Sequence, residues 1–395
     1  MIKKLLWKIP VCIILAAVLI VLATSISPIY NFREAKPFEG PDIFNPYRSL
    51  DKANCWKRSL FHCHTRVKGP LNECEYTAGE TYEALEKLGY DIVTFSNHNH
   101  ITKHPFDSTL QVNVYEHGYN PFKFHKLVFG SRKVIHWDPL LPLLASQKQW
   151  ELDYLGKSSD FIQINHPYRT IGTSKDHFQK LSGYEIMELD TGKSTQNEYW
   201  DWALSAGHYS FGLANDDLHF PDRSSKIGVR CNFLCCPGAT YEDIKRTLLG
   251  GCYYAMRVPN YGKGDWEVKY EMNRHLPRIV DIGLKKDTIY LALSAVADSV
   301  RVNGQDHSTL ALYEATDSVA YPFKASDHFA RLTAFFPGGE VIYTNPFARY
   351  DASKAESPMD NSPQAVNIVL TILYNIVVLL LMALVTVLFY KTIKK

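Results

Sequence analysis

Two uncharged apolar stretches, residues 9–26 and 365–390, bracket the chain and decide where everything between them can fold. Each is long enough to cross a hydrocarbon core of about 30 Å as a helix. Lys3, Lys4 and Lys8 precede the first stretch, and Lys391, Lys394 and Lys395 follow the second. Short Lys-rich flanks stay cytoplasmic. Both ends therefore read as inside, and the chain as a protein of the cytoplasmic membrane with its main domain on the periplasmic or external side. The first stretch also reads as a cleaved signal peptide, since Ala23, Thr24 and Ser25 are small enough for a cleavage site. Export follows on either reading.

The intervening segment is no disordered spacer. With 46% hydrophobic and 13% aromatic residues in 395, the chain can bury a full core. A formal net charge of +2 excludes a broad electrostatic clamp, so no nucleic acid polymer is expected as partner. Of the eight cysteines, Cys12 lies in the first apolar stretch and an odd number remains outside. Export permits a disulfide such as Cys55 to Cys74, whereas Cys231, Cys235 and Cys236 read as small buried hydrophobes.

Composition and punctuation divide the chain into an apolar segment (1–26), a Pro-, Asn- and Asp-rich linker (27–54), an α/β domain (55–264), a β-rich module (277–350), a low-complexity linker (351–364) and the second apolar segment (365–390). In the α/β part, short apolar runs alternate with capped helices. Thr77 to Glu80 forms a capping box, Thr195 to Glu198 and Thr240 to Asp243 open further helices, and Gly89, Gly207 and Gly250 close them. Such alternation predicts a parallel sheet, open or closed into a barrel. Beyond Pro277 the helix signals stop, and Pro337, Gly338 and Gly339 mark a hairpin turn.

Candidate metal ligands stand at the ends of the predicted strands. In His62-Cys63-His64 the two imidazoles share one strand face and can grip one ion. Later runs end in His98, Glu116, His166, and Asp216-Asp217-Leu218-His219. In a barrel of parallel strands these positions meet on one rim. Singly, each has a plainer reading: His166 before Pro167 as a turn residue, Glu116 as a solvated carboxylate, Asp216 and Asp217 as helix caps. Glu188 and Asp190 end another run and either orient ligands or face water. Arg169 could hold a phosphate as a forked donor, or be a solvated loop residue. His100, His104, His117 and His136 lie close by and read as bystanders. There is no Gly-rich nucleotide loop and no Gly-x-Ser-x-Gly elbow.

The ordered series resembles the polymerase and histidinol phosphatase (PHP) family of metal-dependent phosphoesterases. The motifs that carry the resemblance are Phe61 to Thr65, Phe95 to Asn99, Tyr115 to Gly118 with His125, Asn165 to Pro167, and Asp217 to His219. They span residues 59–251, roughly half of the chain. The resemblance implies a distorted β/α barrel with two or three Zn, Mn or Fe ions and hydrolysis of a phosphorylated substrate by a metal-activated hydroxide. It assigns His62, His64, Glu116 and Asp217 to a first ion, Glu116 as bridge to a second held by His125 and His166, and His98 with His219 to a third. Glu116, Asp217 and Arg169 would carry the catalytic roles. The chain departs from the family pattern twice. Asn97 stands where an Asp is usual, and the acidic residue expected soon after His64 is replaced by Arg66-Val67-Lys68, with Glu73 and Glu75 further on. Other functions compatible with these residues are an amidohydrolase-like hydrolase and a degenerate binding or assembly module.

Overall fold

The computed structural model describes residues 7–53, 56–70, 72–191, 194–195 and 197–394. Lys3, Lys4, Lys395, Cys55 and Gln196 lie outside the described residues. The helix Lys8–Ser25 and the helix Ile368–Lys394 are the two long and apolar enough to cross a membrane, and no residue of the first is buried. Apolar side chains exposed around a whole helix are what lipid contact demands. The helices pack side by side. At their shared end Ser27 N donates to Asn375 Oδ1 (3.3 Å) and Ile29 N to Thr371 Oγ1 (2.9 Å). Strand β1 (Tyr30–Asn31) pairs there with Ala365–Val366, so the second span begins at Ile368 rather than at Ala365.

Residues 27–54 do not form the expected linker. They include β2 (Asp42–Phe44), and Phe38, Phe44 and Tyr47 are buried. Three aromatic rings have more to gain from the core than from water.

Then follow β3 (Lys57–Leu60), β4 (Ile92–Val93), β5 (Val114–His117), β6 (Lys126–Phe129), β7 (Phe161–Ile164), β8 (Ile186–Thr191), β9 (Ser194–Thr195) and β10 (Phe211–Asn215). One sheet has the order β10-β8-β7-β6-β5, with β9 added to β8. β7, β8 and β10 run parallel, but β6 is antiparallel to both its neighbours. This corrects the all-parallel expectation, because the connection 118–125 between β5 and β6 is too short for a crossover helix.

The remaining strands are β11 (Arg230–Leu234), β12 (Tyr253–Arg257), β13 (Ile279–Lys285), β14 (Thr288–Asn303), β15 (Thr309–Pro322), β16 (Phe329–Phe335), β17 (Val341–Thr344) and β18 (Phe347–Tyr350). They join β3 and β4 in a second sheet of order β13-β14-β16-β17-β12-β11-β3-β4. Its ladder crosses Pro277 without interruption, since β12 pairs with β17.

Among the described residues no hydrogen-bonded ladder closes on itself, so the mixed α/β expectation holds and a barrel is not confirmed. The two sheets meet through parallel bridges at His98 to Glu116 and Cys63 to Leu218, and β10 also packs along β11. At the β3/β10/β11 junction, side-chain amides take the place of a ladder. Asn215 Oδ1 accepts from Phe61 N (3.0 Å), and Asn232 exchanges bonds with the backbone of Ala214 (2.9 and 2.8 Å). Main-chain groups are satisfied without closure.

The helix caps at Thr77 and Thr240 form as expected. The helix Glu198–Ser205 is held to β16 by a buried ion pair in which Arg331 Nε and Nη2 lie 2.7 and 2.6 Å from the Asp201 carboxylate. Removing Arg331 leaves the buried Asp201 carboxylate with the partly exposed His307, whose Nδ1 lies 3.3 Å away, in place of a two-bond guanidinium. Arg331→Met is therefore expected to cost about 3–5 kcal/mol, read as a lower denaturant midpoint at unchanged slope. A loss below about 1 kcal/mol would show that Asp201 finds other compensation.

Candidate metal centre

Strand alternation turns His62 and His64 to one side and sends Cys63 into the core. His64 N donates to Leu218 O (2.8 Å), which places Asp217 and His219 beside the His pair. On the other side, Glu116 N bonds the carbonyls of Ser96 and Asn97 (3.2 Å each), bringing His98 alongside. His166, Asp217 and Asn99 have positive φ of 25°, 50° and 47°. Such conformations cost side-chain-bearing residues energy, and they gather where a site must aim its groups.

Glu116 is the hub. Its Oε2 lies 3.1 Å from both His62 Nε2 and His64 Nε2 and 3.2 Å from His98 Nε2. Its Oε1 lies 3.1 Å from His125 Nδ1, 3.3 Å from His166 Nε2 and 2.9 Å from Asn165 Nδ2. Asp217 Oδ1 completes the first group at 3.3 Å from both His62 Nε2 and His64 Nε2. The predicted residues His62, His64, His98, Glu116, His125, His166, Asp217 and His219 thus all surround one carboxylate-centred cluster.

The donor set fits divalent cations. His62 Nδ1 pairs with Glu188 Oε1 at 3.0 Å, which leaves its Nε2 lone pair facing the centre. His62 Nε2 and His64 Nε2 are buried without a hydrogen-bond partner among the described residues, despite their closeness to Glu116. Imidazole nitrogens so placed beside carboxylates suit a divalent metal. Burial opposes ionisation of Glu116, yet the imidazoles of His98, His62 and His125 hold its pKa well below the usual range. Burial lowers the pKa of His98, but Glu116 and Glu73 outweigh it and raise it to about 9.

No family model matches the chain, and no curated protein matches it. Among solved structures it is similar to a two-domain protein from Bacteroides vulgatus containing a predicted PHP-like metal-dependent phosphoesterase. The identity is 15%, the TM-score is 0.38, and the match covers 80% of this chain and 100% of that one. At that TM-score the likeness adds nothing to the geometry.

The loop after His64 supplies the acid that its sequence hid. Glu73 Oε2 lies 3.2 Å from both His98 Nε2 and His219 Nε2. Asn97 faces elsewhere: its Oδ1 accepts from Thr65 N (2.7 Å) and its Nδ2 bonds Thr65 and Thr102 hydroxyls, so the Asp-to-Asn departure removes no group from the cluster. Asp216 accepts the amides of Gly228, Val229 and Arg230 and shapes that loop. Glu188 orients His62 and accepts His166 N (2.7 Å), whereas Asp190 pairs with Arg230. Arg169 Nη1 is 2.6 Å from Asp217 Oδ2. With Lys123 and Lys226, which the sequence reading did not single out, it lines a cavity of about 400 Å³ over the cluster.

His117 points to the opposite face of β5, where it meets Glu151 (3.1 Å) and Trp137 O (2.8 Å). Glu151 there already contacts the buried ammonium of Lys126. That second cluster carries its own cation.

Proposed function

We propose that the protein is a metal-dependent phosphoesterase acting outside the cytoplasmic membrane. The carrying observation is the division of Glu116, one oxygen among His62, His64 and His98 and the other toward His125 and His166. One carboxylate so placed can bridge two ions. When bound, closely spaced divalent ions supply Lewis-acid stabilisation of a phosphoryl group and raise the acidity of water. The chain's own residues do the rest. Glu188 fixes the His62 tautomer. Arg169 gives one N–H to Asp217 and keeps its other donors for a phosphoryl oxygen, while Lys123 and Lys226 add positive charge at the rim. Lys123, Arg169 and Lys226 share the cavity lining with Glu73, Glu116, Asp216 and Asp217, so bound divalent ions would be what tips it toward an anionic substrate, and the net charge of +2 does not extend it into a surface for a nucleic acid polymer.

The test is metal analysis of the detergent-solubilised chain, followed by a screen of phosphate mono- and diesters with added Mn²⁺, Zn²⁺ or Fe²⁺. At least two ions per chain and turnover of a phosphoester are expected. If no metal binds, the reading fails. If only amide or carboxylic ester substrates turn over, an amidohydrolase-like activity replaces it. The Lys-rich flanks support an external domain, and a reporter inserted near Asp351 that worked only in the cytoplasm would reverse that orientation.

A further inference from the structure

An apolar patch, exposed at Leu143, Leu144 and Ile171, lies between the membrane end of the helix pair and the mouth of the metal centre. It begins at residues 139–144, a Pro-Leu-Leu-Pro-Leu-Leu segment without charge. Leu140 N lies 3.3 Å from Thr24 Oγ1, and Thr24 is in the last turn of the helix Lys8–Ser25. Three residues beyond the segment, Gln147 Nε2 lies 3.4 Å from Ser25 O and 3.2 Å from Tyr374 OH. The segment is therefore level with the end of a membrane span. Leu143 and Leu144 are 53% and 40% exposed there.

The same segment is fastened to the rim of the cavity. Asp138 accepts the amides of Tyr119 and Asn120 (2.8 and 2.9 Å), tying residues 118–123 to it. Phe122 O accepts from Ile171 N (2.8 Å), and Lys123 O accepts from the Thr170 hydroxyl (3.1 Å). The Phe122 ring and a Leu143 methyl both lie within 4 Å of where a Cβ on Gly172 would sit, at 3.3 and 3.7 Å. Ile171, 56% exposed, completes the patch. Lys123 and Arg169, which line the cavity, are close along the chain to Phe122 and Ile171. Trp137 packs on Trp150 at 3.9 Å between ring centroids, in the aromatic company expected at a membrane interface.

From this continuity we infer that the patch beds into the outer boundary of the bilayer, so that the metal centre opens on the headgroup plane and its substrate is a membrane lipid phosphate. This substrate class rests on the phosphoesterase reading; the bilayer contact of the patch does not. The phosphate enters between Lys123 and Arg169, and its acyl or isoprenyl chain stays in the bilayer beside Ile171. In the reaction, a water oxygen bonds to phosphorus as the bond from phosphorus to the lipid oxygen breaks. The water proton passes to that leaving oxygen, giving a lipid alcohol and a free phosphate.

The full-length chain is reconstituted in vesicles containing a phosphatidylcholine with a diazirine near its carbonyl, then irradiated and mapped by peptide mass spectrometry. Lipid adducts are expected on the peptides carrying residues 139–144 and Ile171. Adducts confined to the two terminal helices would overturn the bilayer contact. In nanodiscs, the Leu143→Asp, Leu144→Asp double variant should hydrolyse phosphatidic acid or an isoprenyl phosphate about tenfold more slowly or worse, while its rate on soluble p-nitrophenyl phosphate holds. Equal rates of variant and wild type on the lipid phosphates would overturn the role of the patch. Wild-type turnover of the soluble ester without any lipid phosphate would overturn the substrate class and leave the phosphoesterase standing. Turnover of neither would overturn the lipid phosphate substrate class and leave the phosphoesterase reading to the screen of mono- and diesters, with the adduct map still deciding the bilayer contact.

Discussion

Glu116→Gln is expected to empty two metal positions at once and to lower phosphoester turnover by about two to three orders of magnitude. Both carboxylate oxygens of Glu116 face imidazole nitrogens at 3.1–3.3 Å. A glutamine keeps the shape but offers one acceptor and turns an NH₂ donor toward one of the two imidazole groups. Whichever group receives the NH₂ loses its ligand, and the bridge is lost in both orientations. His98→Ala should instead leave the group of His62, His64, Glu116 and Asp217 in place and weaken the positions that His98 shares with Glu73 and with His125. Metal content per chain, measured beside a thermal melt, separates the two variants. Unchanged metal content in Glu116→Gln would sink the bridging assignment.

The second large effect belongs to Asp217→Asn. Asp217 reaches both His62 Nε2 and His64 Nε2 through Oδ1 and Arg169 through Oδ2, so its charge serves the ligand set and the anion-binding guanidinium together. Its φ of 50° is one that asparagine accepts readily, and the replacement is nearly isosteric, so the fold should survive. The catalytic rate should fall by about two orders of magnitude or more with the melting temperature within a few degrees of wild type. A kcat close to wild type would show that Asp217 is no ligand. A rise in KM with kcat unchanged would limit its role to holding Arg169.

Much of the centre was legible because strands write their geometry into sequence. The alternation in His62-Cys63-His64 and the ligands following β5, β7 and β10 need only the period of a strand to be read. Glu73 was not legible as a partner of His98, because the loop that carries it returns to the cluster by a path no periodicity encodes. The helix Ala145–Gly156 was missed for a different reason. Its buried side includes Gln147, Lys148, Gln149 and Glu151, so no apolar stripe marks it. Its Glu151 is buried against Lys126 and His117 and its Lys148 bonds the Pro142 carbonyl, and the partners of Glu151 are ones that only the fold brings together. No continuous ladder forms among the described residues at the junction where Asn215 and Asn232 bond the backbone of Phe61 and Ala214. An asparagine in a strand gives no sequence signal of that role.

The pairing of Tyr30–Asn31 with Ala365–Val366 means that the chain enters and leaves the body between the two apolar helices at one place. A domain on a single tether can swivel about any bond of that tether. Here two strands bonded edge to edge sit over two packed helices, and twisting one against the other would break the bonds between Ser27 and Asn375 and between Ile29 and Thr371. The body is thus held at one aspect to the membrane, and a protease that cuts only one span will not set it free.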